Sequence, residues 1–171
     1  WATVETDKED GSDQADYMVA TKAVELLRER AMSEVELRSH DPDELPRPWR
    51  DAVADIARSY RRSYARYPRL IPLLTAYPVN SASAITMYNT LAATLVRAGF
   101  DHADTLRVIT LIDYLVLGSA LDVAAPDEPW LASAEVGPEF AAALATATPN
   151  PHRADDAFEY GLSVLLAGLG A

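Results

Sequence analysis

One carboxylate lies in the most apolar stretch of this sequence. Asp113 falls within residues 108–118, where its polar neighbours are Thr110 and Tyr114. Burying a carboxylate among apolar side chains is costly unless the group is paired or hydrogen-bonded. Three roles are open to Asp113: a structural hydrogen bond to a Tyr or Arg of a neighbouring helix, a place in the wall of a cavity, or exposure at a helix edge. In a cavity it would suit a cationic or hydroxyl-bearing ligand.

Aromatic residues supply a second candidate feature. The chain has eight Tyr, and each combines apolar bulk with a hydroxyl that needs a hydrogen-bond partner. Helices lined in this way either pack as an ordinary core or enclose a small-molecule cavity with a few polar anchors. The candidates are Trp49, Tyr60, Tyr64, Tyr67, Met87, Tyr88 and Tyr114.

The residue patterns of common catalytic and metal sites are missing from the sequence. His40, His102 and His152 lie far apart, and none has a second His three or four residues away. The chain has no Cys, no glycine-rich phosphate loop and no Gly-x-Ser-x-Gly motif. Asp155 and Asp156 are adjacent, so on a helix they point about 100° apart, which favours helix capping over acid–base catalysis. We therefore predict no catalytic residues, no metal and no cofactor.

Charge argues against direct nucleic-acid binding. The formal net charge is −11, and an acidic domain does not bind a phosphate backbone by itself. Residues 47–69 carry a net positive charge. On a helix, however, the arginines from Arg58 to Arg66 form a stripe opposite Tyr60 and Tyr64. That spacing favours a solvated face paired with acidic neighbours over a nucleic-acid site.

The sequence also favours a cytoplasmic protein. No segment approaches the roughly 18 uninterrupted apolar residues that span a membrane, and no signal-peptide pattern opens the chain. The lack of Cys fits a reducing compartment.

Prolines, glycines and apolar periodicity divide the chain into helices. Residues 1–16 are polar, acidic and non-periodic, so we expect them to be disordered or a remnant segment. Without internal repeats or long strand-like alternation, the pattern predicts an all-α bundle of six or seven helices. The predicted helices span residues 17–37, 48–67, 70–77, 80–99, 101–123, 139–146 and 153–169. The predicted apolar face of the first helix consists of Val19, Ala23, Leu26, Leu27, Ala31 and Val35.

Four sequence pieces follow one another in a recognisable order. They are Trp49-Arg50-x-x-Val53 with an Arg/Tyr-rich helix ending in Tyr67-Pro68, a short helix with Pro72, Leu95-Val96-Arg97-Ala98-Gly99-Phe100 before the long helix with Gly118-Ser119-Ala120, and the segment from Phe158 to Leu169. This ordered set resembles the C-terminal domain of tetracycline-repressor-like (TetR family) transcriptional regulators. The resemblance covers about residues 48–170.

In that family the C-terminal domain is all-helical, binds a small effector and forms a homodimer. The resemblance implies that the long helix and the last helix build a four-helix dimer interface. Gly118, Ser119 and Ala120 would let two helices approach closely, and the leucines would supply an apolar seam. The predicted interface residues are Leu111, Leu115, Gly118, Phe158, Leu162, Leu165, Leu166 and Leu169.

The resemblance also favours the cavity interpretation of Asp113 and the aromatic residues. It implies a small-molecule effector enclosed by the helices of residues 48–123. The predicted ligand-binding residues are Trp49, Tyr60, Tyr64, Met87, Tyr88, Thr110, Asp113, Tyr114 and Leu117.

The N-terminal domain of the family is a three-helix unit whose helix-turn-helix reads DNA. We expect that unit to be missing here, whether it was truncated, was not observed or never existed in this member. Residues 17–27 resemble the family's hinge segment, which links the effector site with DNA. The expected organisation is a remnant at residues 1–16 and one effector-binding and dimerisation domain at residues 17–171.

Two main functions are compatible with these features. The first is the ligand-binding domain of a cytoplasmic TetR-like repressor that forms a homodimer, binds no membrane and reaches operator DNA only through the missing domain. The alternative is a stand-alone helical dimer that serves as an adaptor or ligand carrier without DNA binding. A small helical enzyme is the third hypothesis, and no nucleophile, base or metal pattern in the sequence supports it.

Overall fold

The chain folds as a helical bundle. The computed structural model describes residues 11–37, 48–126, 128–130, 133, 135–146 and 150–170. Within these residues it has seven α-helices, a 3-10 turn at Pro68–Leu70 and no strand, which confirms the all-α fold class. The helices are α1 (Gly11–Met32), α2 (Trp49–Ala65), α3 (Ile71–Thr75), α4 (Ala82–Arg97), α5 (His102–Asp122), α6 (Pro138–Thr146) and α7 (Arg153–Gly168).

Local residues explain where α4 and α5 begin and where α4 ends. The Ser81 side chain accepts a hydrogen bond from the Ala84 amide at 3.3 Å, and Asp101 accepts one from the Asp104 amide at 2.7 Å. Such N-caps satisfy helix amides that lack a partner in the first turn. Gly99 follows α4 with a φ of 106°, the left-handed conformation that glycine adopts without a steric penalty at a helix C-terminus.

Helix α2 lies at the centre of the bundle. It packs against α5, α4, α1 and α7, and α5 also packs against α7 and α4. Val53, Ile56, Tyr60 and Tyr64 of α2 are buried, as expected for apolar residues that recur every three or four positions on one helix face. The largest side chains that are almost completely enclosed are Met32, Val53, Leu74, Met87, Leu91, Leu95, Ile112, Val116 and Leu162.

Helix α1 turns a different face to the core from the one that the sequence predicted. Val24, Arg28 and Met32 are buried, whereas Val19 and Leu26 are exposed. The predicted face is therefore wrong at most of its positions. Apolar residues lie on several sides of α1, so periodicity alone does not select the buried side, and the contacts of α1 with α2, α3 and α4 decide it.

The N-terminal boundary of α1 also differs from the prediction. Residues 11–16, which we expected to be disordered, belong to the first turns of the helix, and residues 1–10 lie outside the described part of the chain.

The end of α7 is held by the beginning of α2. Arg50 donates hydrogen bonds from Nε to the Leu166 carbonyl at 2.9 Å and from Nη2 to the Leu169 carbonyl at 2.6 Å. Carbonyls in the last turn of a helix have no partner within that helix, so a cation there both satisfies them and complements the helix dipole. Nowhere in the described residues is a helix long and apolar enough to cross a lipid bilayer.

Candidate ligand pocket

A cavity opens between α1, α2, α4 and α5, with the end of α3 at its edge. Its volume is about 440 Å³, within the range of small-molecule sites. Seven of the nine predicted ligand-binding residues line it: Tyr60, Tyr64, Tyr88, Thr110, Asp113, Tyr114 and Leu117. The other lining residues are Arg28, Met32, Leu74, Thr75, Tyr77, Val79, Ala84 and Gly118.

A chain of hydroxyl groups leads to Asp113. The Tyr88 hydroxyl donates to the two carboxylate oxygens of Asp113, at 3.2 Å to Oδ1 and 3.1 Å to Oδ2. The hydroxyl of Tyr60 lies 3.4 Å from that of Tyr88, and the rings of Tyr60 and Tyr64 meet edge to face with centroids 5.2 Å apart. Three helices therefore supply one polar cluster to the wall of the cavity.

Asp113 meets two of the roles that the sequence left open, the structural hydrogen bond and the place in a cavity wall. The side chain is half-buried, accepts a hydrogen bond from a tyrosine of a neighbouring helix, and lines the cavity. Among the described residues, no Lys, Arg or His forms an ion pair with it. It therefore combines the structural hydrogen bond with the cavity wall.

Burial controls the proton affinities in this cluster. Desolvation raises the pKa of Asp113 from 3.8 to about 6, although the hydrogen bonds from Tyr88 and Tyr60 oppose the rise. Desolvation and the nearby carboxylate raise the pKa of Tyr88 as well, and burial raises the pKa of Tyr60 far above its usual value. The tyrosines are therefore hydrogen-bond donors at neutral pH, and Asp113 is the group that can change charge under mild conditions.

Arg28 is a site residue that the sequence analysis missed. Its side chain is only 2% exposed, and its guanidinium donates to the carbonyls of Leu74, Tyr77 and Pro78. The distances are 3.0 Å to Tyr77 and 2.7 Å to Pro78. A signal was present in the sequence, because Arg28 is four residues from both Val24 and Met32, which share its buried face.

Two predicted ligand residues lie elsewhere. Met87 is completely buried in the core and does not line the cavity. Trp49 packs edge to face on Phe100 with ring centroids 5.3 Å apart, under the guanidinium of Arg50. Neither side chain lines the cavity, and apolar or aromatic character alone does not separate a cavity wall from ordinary packing.

The family of the chain follows from its sequence. A family model described as the tetracyclin repressor-like C-terminal domain matches residues 41–171. This chain belongs to that family. The tetracyclin repressor-like domain assigned by the match contains α2 to α7 and therefore every lining residue of the cavity except Arg28 and Met32.

A solved structure supports the same fold. The crystal structure of a possible TetR family transcriptional regulator from Streptomyces coelicolor A3(2) superposes with a TM-score of 0.65 at 18% sequence identity. The match covers 93% of this chain and 82% of that chain. No curated protein matches the chain at a significant level. The two chains thus share a fold over a longer stretch than the family match covers.

The predicted dimer residues of this tetracyclin repressor-like domain fall into distinct environments. Phe158, Leu162 and Leu166 are buried against the core of their own subunit, so in this conformation their side chains are not exposed to a partner. Leu111 is 44% exposed, and Gly118 is exposed and lines the cavity. Leu115, Leu165 and Leu169 are partly buried against the core.

Ion pairs tie the arginine stripe of α2 to acidic neighbours, as the sequence predicted. Arg58 pairs with Glu159 at 2.7 Å, and Arg61 pairs with Asp155 at 2.6 Å. Both acids belong to α7, so the stripe joins two helices of the domain. Arg61 departs from the predicted solvated face, because its side chain is buried and also donates to the Ser119 hydroxyl at 3.1 Å.

The titratable side chains of the described residues do not gather elsewhere into a metal-binding cluster. No group of three or more His, Asp or Glu among those residues is arranged to hold a metal ion.

Proposed function

We propose that this chain is the effector-binding and dimerisation domain of a cytoplasmic transcriptional repressor. The observation that carries the proposal is the cavity, in which apolar walls surround a few convergent polar groups in the manner of small-molecule sites. Membership of the tetracyclin repressor-like family supports the regulatory role. The net charge of −11 disfavours operator binding by these helices themselves, so we propose that a helix-turn-helix unit joined to α1 contacts the DNA.

Arg28 provides the physical link between the cavity and α1. It lines the cavity, and it fastens α1 to the backbone carbonyls that follow α3. A ligand that favours one position of this guanidinium would also favour one position of α1, and through α1 one spacing of two DNA-binding units. The ligand can change operator affinity only by its differential affinity for the two arrangements, typically about 1–3 kcal/mol.

An exposed apolar surface on α5 and α7 supports the proposed homodimer. Leu111 and Leu121 on α5, and Tyr160 and Val164 on α7, are all more than two-fifths exposed. The two helices pack closely, because a Cβ built on Gly161 would lie 2.9 Å from Leu115 Cδ1. We therefore propose that a second copy covers their exposed apolar residues as the other half of a four-helix bundle.

Filling the cavity tests the effector role. We expect Thr110→Trp to abolish the rise in melting temperature that a bound effector causes, since a ligand at about 100 times its Kd stabilises a protein by about 2.7 kcal/mol. A metabolite panel would first be screened by thermal shift against the unmodified chain. The variant would then be measured with each compound that raises the melting temperature.

Thr90→Trp is the matched control for that experiment. Thr90 and Thr110 are both half-buried, and each hydroxyl donates to the carbonyl four residues earlier at 2.9 Å, but Thr90 does not line the cavity. The control should keep the ligand-induced shift. Retention of the shift in Thr110→Trp would show that the effector binds elsewhere.

A charge placed on the exposed face of α7 tests the dimer. We expect Val164→Glu to convert a dimer into a monomer, because association would bury an unpaired carboxylate. Sedimentation velocity at several concentrations measures the change. Val96→Glu is the control, since Val96 is 40% exposed on α4 and Val164 is 54% exposed on α7. A dimer that persists in Val164→Glu contradicts the proposed interface.

A further inference from the structure

Asp113 has acceptor capacity that the described side chains do not use. Its oxygens accept a hydrogen bond from the Tyr88 hydroxyl and also interact with the Tyr60 hydroxyl, whereas an ionised carboxylate offers about four acceptor positions. Since the residue lines the cavity, the unused positions are accessible to a molecule bound there.

The charged and titratable groups around the cavity do not neutralise this carboxylate. Arg28 comes from α1, but the hydrogen bonds of its guanidinium go to three backbone carbonyls. Helix α2 contributes Tyr60 and Tyr64, α4 contributes Tyr88, the turn after α3 contributes Tyr77, and α5 itself contributes Tyr114. The described wall therefore presents one acid, several phenols and one guanidinium that is bound to backbone carbonyls, and no described cation forms an ion pair with the acid.

The phenol rings suit a positive charge as well. The face of an aromatic ring attracts a cation within about 6 Å of its centroid, and the attraction grows when the site is desolvated. Tyr60, Tyr64, Tyr88 and Tyr114 all line the cavity. A cationic head group near Asp113 would gain both an ion pair and contacts with these rings.

From this arrangement, and resting on the effector role proposed above, we infer that the ligand of the cavity is an organic cation. Its head is a protonated or quaternary amine that pairs with Asp113, and its body is apolar and small enough for about 440 Å³. An anionic head would meet the carboxylate instead. A neutral alcohol could donate one hydrogen bond but would leave the charge of Asp113 without a partner.

Three probes that share one ring system test the ligand charge. 1-Naphthylmethylamine, 1-naphthalenemethanol and 1-naphthoic acid carry cationic, neutral and anionic heads at neutral pH. Calorimetric titration of the full chain at about pH 7.5 should give at least about tenfold tighter binding for the amine than for the alcohol, with the acid weakest. Asp113→Asn should remove the preference for the amine and leave the affinity for the alcohol largely unchanged.

The dependence on pH gives an independent readout. A proton competes with the amine for Asp113, whose pKa is about 6, so affinity for the amine should fall as the pH decreases through 6, and affinity for the alcohol should not. Tyr88→Phe should move the midpoint of this fall to higher pH, because it removes a hydrogen bond that lowers the pKa of Asp113.

Asp104→Asn serves as the control for the loss of one negative charge. Asp104 is on the same helix, its side chain is 53% exposed, and it pairs with Arg107 rather than lining the cavity. This variant should bind all three probes as the unmodified chain does.

The outcomes separate the ligand charge from the effector role. Equal binding of amine and alcohol, or an amine preference that survives in Asp113→Asn, overturns the inferred cation and leaves an effector cavity standing. Failure of all three probes to bind contradicts the cavity itself, because a naphthalene ring should enter an apolar space of this size. In that case both proposals fall together.

Discussion

The contact between α2 and α7 and the cavity between α2, α4 and α5 each contain a charged group that is withdrawn from solvent. At the first, Arg61 meets Asp155 at 2.6 Å, donates to Ser119 and lies over the ring of Phe158 with 4.8 Å between guanidinium carbon and ring centroid. At the second, Asp113 has a tyrosine hydroxyl and, among the described residues, no cation.

The two charged groups therefore differ in whether another helix of the chain supplies an oppositely charged partner. A buried charge whose partner is another helix of the same chain fixes the relation between the two helices. A half-buried carboxylate without a cationic partner keeps part of its desolvation cost. Two variants compare these regions directly, the first with the larger expected effect.

Removing the paired charge should destabilise the fold. We expect Arg61→Ala to lower the free energy of unfolding by about 2 kcal/mol, because it removes hydrogen bonds, ring contacts and a buried aliphatic stem. Urea denaturation at one fixed protein concentration measures it. Arg62→Ala should change stability by about 0.5 kcal/mol or less, since Arg62 is 61% exposed and pairs weakly with Glu36. Equal changes in the free energy of unfolding for the two variants would contradict a special structural role for Arg61.

Neutralising Asp113, which has no cationic partner among the described residues, should instead increase the free energy of unfolding. The folded state raises the pKa of Asp113 from 3.8 to about 6, so ionising the group weakens the fold as the pH rises through 6. We expect Asp113→Asn to be more stable than the unmodified chain by about 1–2 kcal/mol near pH 8, with partial exposure limiting the gain.

The pH profile checks the sign of that prediction. Below about pH 4, Asp113 is protonated in both the folded and the unfolded state, so the advantage of Asn should vanish. Thermal unfolding of both proteins across this range measures the difference. An Asn variant that is less stable near pH 8 would mean that ionised Asp113 has a favourable partner.

Local chemistry explains why most of the fold was predictable. Prolines, Ser81, Asp101 and Gly99 mark helix boundaries through their own backbone and side-chain preferences, and the predicted helices lie within a few residues of α2, α4, α5, α6 and α7. The all-α class follows from these boundaries together with apolar periodicity.

Faces of helices were harder to predict than their ends. Helix α7 is apolar around much of its circumference, and the sequence does not say which side its own subunit covers. Phe158, Leu162 and Leu166 belong to the covered side, whereas Tyr160 and Val164 belong to the exposed one. The same ambiguity misplaced the buried face of α1. In both helices tertiary contacts, rather than local propensity, decide which side is buried.

The candidate site also contains residues that the sequence could reveal and one that it could not. The sequence reveals side chains whose polar atoms lie in apolar surroundings. Those that line the cavity include Tyr60, Tyr64, Tyr88 and Asp113. Arg28 was missed because its hydrogen-bond partners are backbone carbonyls nearly fifty residues away. Main-chain acceptors have no residue type of their own, so sequence reasoning cannot find such a contact before the fold is known.

The attachment of Arg28 to carbonyl oxygens has an evolutionary consequence. Leu74 and Tyr77 line the cavity with their side chains but hold Arg28 with their main chain. Substitutions at these two positions can therefore change the surface of the cavity while the hydrogen bonds from Arg28 to the backbone carbonyls persist. Under the proposed effector role, a descendant of this protein could acquire a new ligand specificity and keep the same contact between the cavity and α1.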